Sequence, residues 1–128
     1  MKFLLDTHFI IWLPIGGRGI SRTASALLNN SANEFLFSVA SLWEIALKRA
    51  HYRGDFAFDP REIRRQMLEN GYDELPVKGQ HVIAVDSLAP IHRDPFDRLL
   101  IAQAMVEGIT LLTVDATVAR YPGPIRKV

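Results

Sequence analysis

From Phe3 the chain stays apolar without alternation until Asp6 interrupts it. A half-exposed strand alternates polar and apolar residues. An unbroken run suits a strand covered on both faces, as in a parallel sheet flanked by helices. Lys2 to Leu5 is therefore expected to be a short buried strand, with residues 34–38 and 109–114 as the second and third. The segments between them carry helix punctuation. A short helix after Asp6 reaches Trp12 and is stopped by Pro14 and the Gly16-Gly17 pair. Ser21 is placed to cap a helix reaching about Asn29, and a longer helix follows over residues 39–50. Asp59-Pro60-Arg61-Glu62 combines an N-cap, proline at the first helical position and a capping-box glutamate, for a helix ending near Gly71. Residues 74–77 read as a short edge strand and residues 81–88 as a short helix. Asp94-Pro95 opens a helix that stops at Gly108, and a last short helix begins near Asp115. This alternation predicts an α/β three-layer α/β/α domain around a mainly parallel sheet.

A length of 128 residues accommodates one domain, residues 1–128. A hydrophobic share of 48% supports a core, while a net charge of +1 means that any nucleic-acid affinity must come from local patches. The chain has no cysteine, which excludes a disulfide framework, a thiolate metal site and a cysteine nucleophile, and agrees with a reducing cytoplasm. Asp6 and His8 interrupt the first apolar stretch, which argues against a secretory signal, and no apolar run is long enough to span a bilayer. A cytoplasmic location with no membrane association is expected.

Four acids sit in apolar surroundings. Asp6 and Asp115 each end a buried-type strand, and in open parallel sheets the ligand crevice lies outside those strand ends. A plain structural role, capping the following helix, is about as good an account of each taken singly. Asp97 shares a helix face with Leu100, Ile101 and Ala104, while Phe96, Leu99 and Val106 make the other side apolar too. Its competing role is to offset the helix dipole as third residue of the helix, and the functional reading ranks ahead. Asp94, before Pro95, reads first as an N-cap. Glu44 lies with Ser41 and Lys48, off a main stripe of Val39, Leu42, Trp43, Ala46, Leu47 and Ala50. A solvated Glu44–Lys48 pair and a polar strip lining a cavity are equally good readings of that pattern.

Charge gives the reason to consider the four together. Two carboxylates about 4 Å apart repel by roughly 4 kcal/mol at a near-surface dielectric. A cluster persists only if a cation sits in it or its pKa values rise. Oxygen ligands without cysteine suit a hard divalent cation, Mg²⁺ or Mn²⁺, which activates water and offsets charge on a phosphodiester.

Taken in order, Leu4-Leu5-Asp6-Thr7-His8, Ser38-Val39-Ala40-Ser41-Leu42-Trp43-Glu44-Ile45, His92-Arg93-Asp94-Pro95-Phe96-Asp97-Arg98-Leu99-Leu100-Ile101-Ala102-Gln103-Ala104 and Leu111-Leu112-Thr113-Val114-Asp115 resemble the PIN-domain family, within it the VapC-type toxins of bacterial toxin–antitoxin pairs. The likeness covers essentially the whole chain. It implies a compact α/β/α fold and a divalent-metal-dependent ribonuclease with Asp6, Glu44, Asp97 and Asp115 as catalytic and metal-site acids. It also implies an RNA substrate, a cognate VapB-type antitoxin and a homodimer. The segments 15–20 and 51–58 match the family less clearly.

Other groups have simpler roles open to them. Lys48, Arg49, His51, Tyr52 and Arg53, with Arg61, Arg64 and Arg65 beyond, could hold RNA phosphates and stack a base, but each singly is more readily a solvated helix residue. His8 reads first as a packed or exposed helix residue, Thr7 and Thr113 as strand-end residues able to orient water or metal. Trp12, Trp43 and Phe96 read as core, and His92 and Arg93 as completing the turn before Asp94. A haloacid-dehalogenase-type phosphotransfer domain would need a second aspartate two positions after Asp6, where this chain has His8. The stronger rival is a non-catalytic PIN-like RNA- or protein-binding module, which would be expected to lack some of the four acids.

Overall fold

The computed structural model describes residues 1–52 and 58–128. Arg53 of the basic run and the side chain of Tyr52 lie outside the described residues. Five strands form one sheet: β1 (Lys2–Leu5), β2 (Glu34–Ser38), β3 (Asp73–Leu75), β4 (Thr110–Thr113) and β5 (Ile125–Lys127). Every pairing is parallel, and the order across the sheet is β3-β2-β1-β4-β5. The helices are α1 (Thr7–Trp12), α2 (Arg22–Leu28), α3 (Val39–Tyr52), α4 (Pro60–Glu69), α5 (Gly79–Val85) and α6 (Pro95–Glu107).

The pleat explains why the strand sequences lack alternation. Phe3 and Leu5 face one side of β1 and Leu4 the other, and all three are fully buried. Phe3 and Leu5 join Phe9, Ile10, Phe37, Ile45, Met67 and Leu112 in one core. Leu4 joins Leu100, Ile101, Ala104, Leu111 and Tyr121 in a second core on the opposite face. Removing such a side chain from water contributes roughly 1.5–3 kcal/mol. Helices on both faces make this the expected α/β/α arrangement.

The caps act where the sequence placed them. The Ser21 hydroxyl accepts from Ala24 N–H and the Asp59 carboxylate from Arg61 N–H. Gly108 ends α6 in the left-handed conformation, φ 67°. Gly19, φ 93°, lies so close to Trp12 that a Cβ there would stand 2.9 Å from the indole, which ties the loop after α1 to that ring.

Four expectations change. Among the described residues, Glu62 closes no capping box with Asp59; its carboxylate takes Arg65 and Gln66 instead. β5 went unforeseen, because Ile125-Arg126-Lys127 has one apolar residue and gives no hydrophobic run; it is a short charged edge strand. The element after Asp115 is a single 3-10 turn, Val118–Arg120. On α3 the apolar stripe is split: Val39 and Leu42 are half-buried, Leu42 against the first core, but Trp43 is 56% and Leu47 46% exposed, whereas Ser41, Glu44 and Ile45 are buried. Trp43 is thus not core; its ring meets half-buried Phe96 edge-on, 4.9 Å between centroids.

The candidate active site at the ends of β1 and β4

The chain runs from β1 to β2 and β3 on one side, then crosses back to place β4 on the other side of β1. The crevice of a parallel sheet opens at such a reversal, beyond the carboxyl ends of the strands. Strand register decides what arrives there. Leu5 pairs with Phe37 and with Leu112, so Asp6 emerges beside Ser38 and Thr113.

Asp6 is almost wholly buried. Its Oδ2 accepts from the Thr113 hydroxyl at 2.7 Å and from Val114 N–H at 3.1 Å, and its Oδ1 accepts from His8 N–H at 2.9 Å. The last bond caps α1, so the capping role and a place in the crevice coexist in one carboxylate. Asp115 behaves likewise: Oδ1 accepts from Thr117 and Val118 N–H, while Oδ2 turns toward His92. Burial pushes the Asp115 carboxyl up, but these two N–H groups and the His92 ring outweigh it and hold it below the usual range.

Glu44 settles between its two sequence readings by combining them. It is buried; Oε1 accepts from the Thr7 hydroxyl at 2.7 Å, with Ser41 Oγ 3.0 Å from that hydroxyl, and Oε2 pairs with Lys48 Nζ at 2.8 Å. The polar strip of α3 therefore faces inward, against the N-terminus of α1.

Asp94 caps α6, accepting from Phe96 and Asp97 N–H, as its position before Pro95 predicts. Asp97, the third residue of α6, donates the second of those N–H groups, and its carboxylate lies with His92 and Asp115. Burial first, then the charges of Asp94, Glu44 and Asp115, against an opposing contribution from His92, push its pKa up to about 7. His8 feels Asp97 and Glu44 as well as Asp6, whose hydrogen bond is the main cause of its raised pKa.

Sequence position assigned His92 only a place in the turn before Asp94, where its Nδ1 accepts the Asp94 N–H. Its Nε2 lies 3.0 Å from Asp97 Oδ2 and 3.5 Å from Asp115 Oδ2, and these three residues form a group tight enough to hold an ion. Asp6 is joined to it through Thr113, whose hydroxyl also accepts from Asp115 N–H, whereas Glu44 is bonded to Thr7, the residue after Asp6, and to Lys48. His92 follows a non-helical loop, where periodicity carries no information; the only signal available was its place two residues before the α6 cap. Arg98 was also missed. Its guanidinium donates to the Tyr121 hydroxyl and to the carbonyls of Ala89 and Val85, bracing the loop that carries His92.

Among the described residues, four of the cations singled out in the sequence are held in ion pairs. Lys48 pairs with Glu44, Arg49 with Asp59, Arg64 with Glu74, and Arg65 with Glu62 and Glu69. The plain reading of solvated, paired helix residues describes these four.

Residues 3–124 match the family model for the PIN domain. The chain belongs to the PIN-domain family. That family's members are generally nucleases. No curated protein sequence matches significantly. Among solved structures, this PIN domain is similar to VapBC2 from Rickettsia felis, which is bound to a DNA fragment from its promoter: TM-score 0.72, 14% identity, 100% of this chain and 99% of the other covered. It is also similar to DNA-bound VapBC from Salmonella typhimurium, with TM-score 0.67, 18% identity and 99% and 98% of the two chains covered. A toxin–antitoxin complex from Klebsiella pneumoniae gives TM-score 0.64 at 16% identity, covering 98% of each chain. At these identities the likeness is one of fold. No described helix of this PIN domain is long and apolar enough to cross a membrane.

Proposed function

We infer that residues 1–128 act as one divalent-metal-dependent ribonuclease domain, the toxin of a toxin–antitoxin pair in the cytoplasm, with Asp6, Glu44, Asp97 and Asp115 as its acidic site. The observation that carries this reading is the meeting of Asp97 and Asp115 at the reversal of a parallel sheet, with Asp6 tied in through Thr113; burial first, and the neighbouring carboxylates after it, push Asp97 up to about 7. Such crowding is unfavourable without a positive charge, and an oxygen-rich donor set fits Mg²⁺ or Mn²⁺. When bound, the cation would activate water and neutralise charge developing on a phosphodiester.

The chain's own part is to hold the donors. Thr113 and Val114 N–H fix Asp6, Thr7 fixes Glu44, and the N–H groups of the 3-10 turn fix Asp115. No protein nucleophile is needed. A purified sample should cut single-stranded or loop RNA only with divalent metal. Asp6→Asn keeps size and removes an anion, and should lower the rate by roughly a hundredfold or more while the fold persists, since several kcal/mol of charge stabilisation is at stake. Parental activity in that variant, or cleavage in chelator, would refute the reading in favour of a different site; folded protein with no cleavage under any metal would favour a binding module.

Two partners follow. The solved VapBC complexes of like fold support a VapB-type antitoxin for this chain. A guanidinium inserted among the acids would pair with a carboxylate and take the cation's place. The outward apolar face of α3 and α5, with Trp43 and Val82 on an apolar groove of about 530 Å³ and Leu47 and Ile83 exposed elsewhere on the same helices, supports a homodimer.

A further inference from the structure

The imidazole of His92 is held in a way that decides what its buried nitrogen can do. Nδ1 accepts the backbone N–H of Asp94 at 3.2 Å. A lone pair on Nδ1 assigns the proton of the neutral ring to Nε2. Nε2 is shut off from solvent, lies between Asp97 Oδ2 and Asp115 Oδ2, and is aligned for a hydrogen bond with neither. A histidine that ligates a metal has the reverse arrangement: its remote N–H donates to a carbonyl or carboxylate, and the near nitrogen offers a lone pair. For His92 to ligate, a proton on Nδ1 would have to face the Asp94 N–H, setting two donors against each other in the turn that caps α6. That turn is braced. His92 N–H donates to the Tyr121 hydroxyl at 2.8 Å, and Arg98 holds the same hydroxyl at 2.8 Å from α6.

We propose that His92 is a positioning residue for the acidic site and not a metal ligand. Its Nε2–H sits between one carboxylate carried by α6 and one that follows β4, and sets the gap between them. From there it faces both carboxylates, and their remaining lone pairs stay available. The proposal rests on the metal reading above and adds the group that fixes the spacing of two of its acids.

Nitrogen-15 spectra of the His92 ring, recorded metal-free and in Mg²⁺, test the tautomer. Calorimetric Mg²⁺ titration of the parent, His92→Gln and His92→Ala tests the role. Nε2 should keep its proton and Nδ1 stay bare in both states. His92→Ala should bind Mg²⁺ about tenfold more weakly or worse, the size of loss typical for groups that orient ligands. His92→Gln, whose amide N–H reaches the place of Nε2, should recover most of that loss. A proton on Nδ1 in the Mg²⁺ form, parental affinity in His92→Ala, or no recovery in His92→Gln overturns the proposal. Should His92→Ala fail to fold, the spectra and His92→Gln decide alone. A parent that takes up no Mg²⁺ defeats the metal reading and this proposal together, whereas uptake with the opposite tautomer defeats this proposal only.

Discussion

Asp97 carries the site's electrostatic strain, and its consequence for stability has a definite sign. Folding raises its affinity for a proton, from an ordinary carboxylate at 3.8 to about 7. The protonated form therefore favours the folded state at low pH, and that contribution is lost as pH rises through the window from about 4 to about 7. Asp97→Asn removes the titration and keeps the shape. In metal-free protein at pH 8 it should be more stable than the parent by on the order of 1–2 kcal/mol, discounted for partial exposure, and the advantage should vanish near pH 4. Urea titrations at the two pH values measure it; a variant less stable than the parent at pH 8 would show that the carboxylate is not strained. The sequence signalled this residue well, because a carboxylate on a helix apolar on both sides has few ways out. It did not signal His92, since a loop residue acquires its neighbours only when α6 and β4 are brought together.

At the scale of an element, α3 departs furthest from its sequence pattern. Periodicity found the helix and left its polar strip open between solvent and a cavity. Ser41 and Glu44 point inward because the Thr7 hydroxyl is there to receive them, and an inward Glu44 also has Lys48 four residues on. Trp43 and Leu47 of the apolar stripe are then left outward, while Leu42 packs against the core. A helix that buries its polar strip and exposes Trp43 and Leu47 is expected to be covered by another molecule, and a second copy of the chain is the occupant proposed above. Trp43→Lys should reduce the sedimenting species to the 14.4 kDa monomer with unchanged far-UV circular dichroism. A parent that is already monomeric at micromolar concentration, or a variant that still pairs, removes α3 as the interface.

At the scale of the whole molecule, metal and partner both act on the folded state. A cation that binds only the native arrangement adds about 2.7 kcal/mol at a hundredfold excess over Kd. In a domain of this size that raises Tm by on the order of 10 °C. Thermal melts with and without Mn²⁺ check this, and the gain should be lost in Asp6→Asn; an unmoved Tm at millimolar Mn²⁺ speaks against a site of four acids. The antitoxin is tested by co-purification from the native host. A basic, partly disordered partner should suppress RNA cleavage, and raised salt or charge reversal of its arginine should weaken the block. Recovery of the chain alone, harmless when overproduced, would reject the toxin role and leave the nuclease reading standing.

What the sequence determined by itself was local or periodic. Buried strands were legible from unbroken apolar runs, helix starts from Ser21, Asp59 and Asp94, and the three-layer parallel fold from their alternation, because each signal depends on residues within a few positions of one another. The four acids were legible as anomalies in apolar surroundings. Tertiary structure decided what depended on distant partners. The edge strand β5 exists because β4 offers it an unpaired side, not because Ile125-Arg126-Lys127 favours a strand. The inward face of α3 depends on a hydroxyl 37 residues away from Glu44 in sequence. Asp6 comes to share its Oδ2 with Thr113, 107 residues distant, through the register of β1 against β4. Side-chain charge and strand pairing act through space, and a chain read in order contains the groups but not the distances that give them their chemistry.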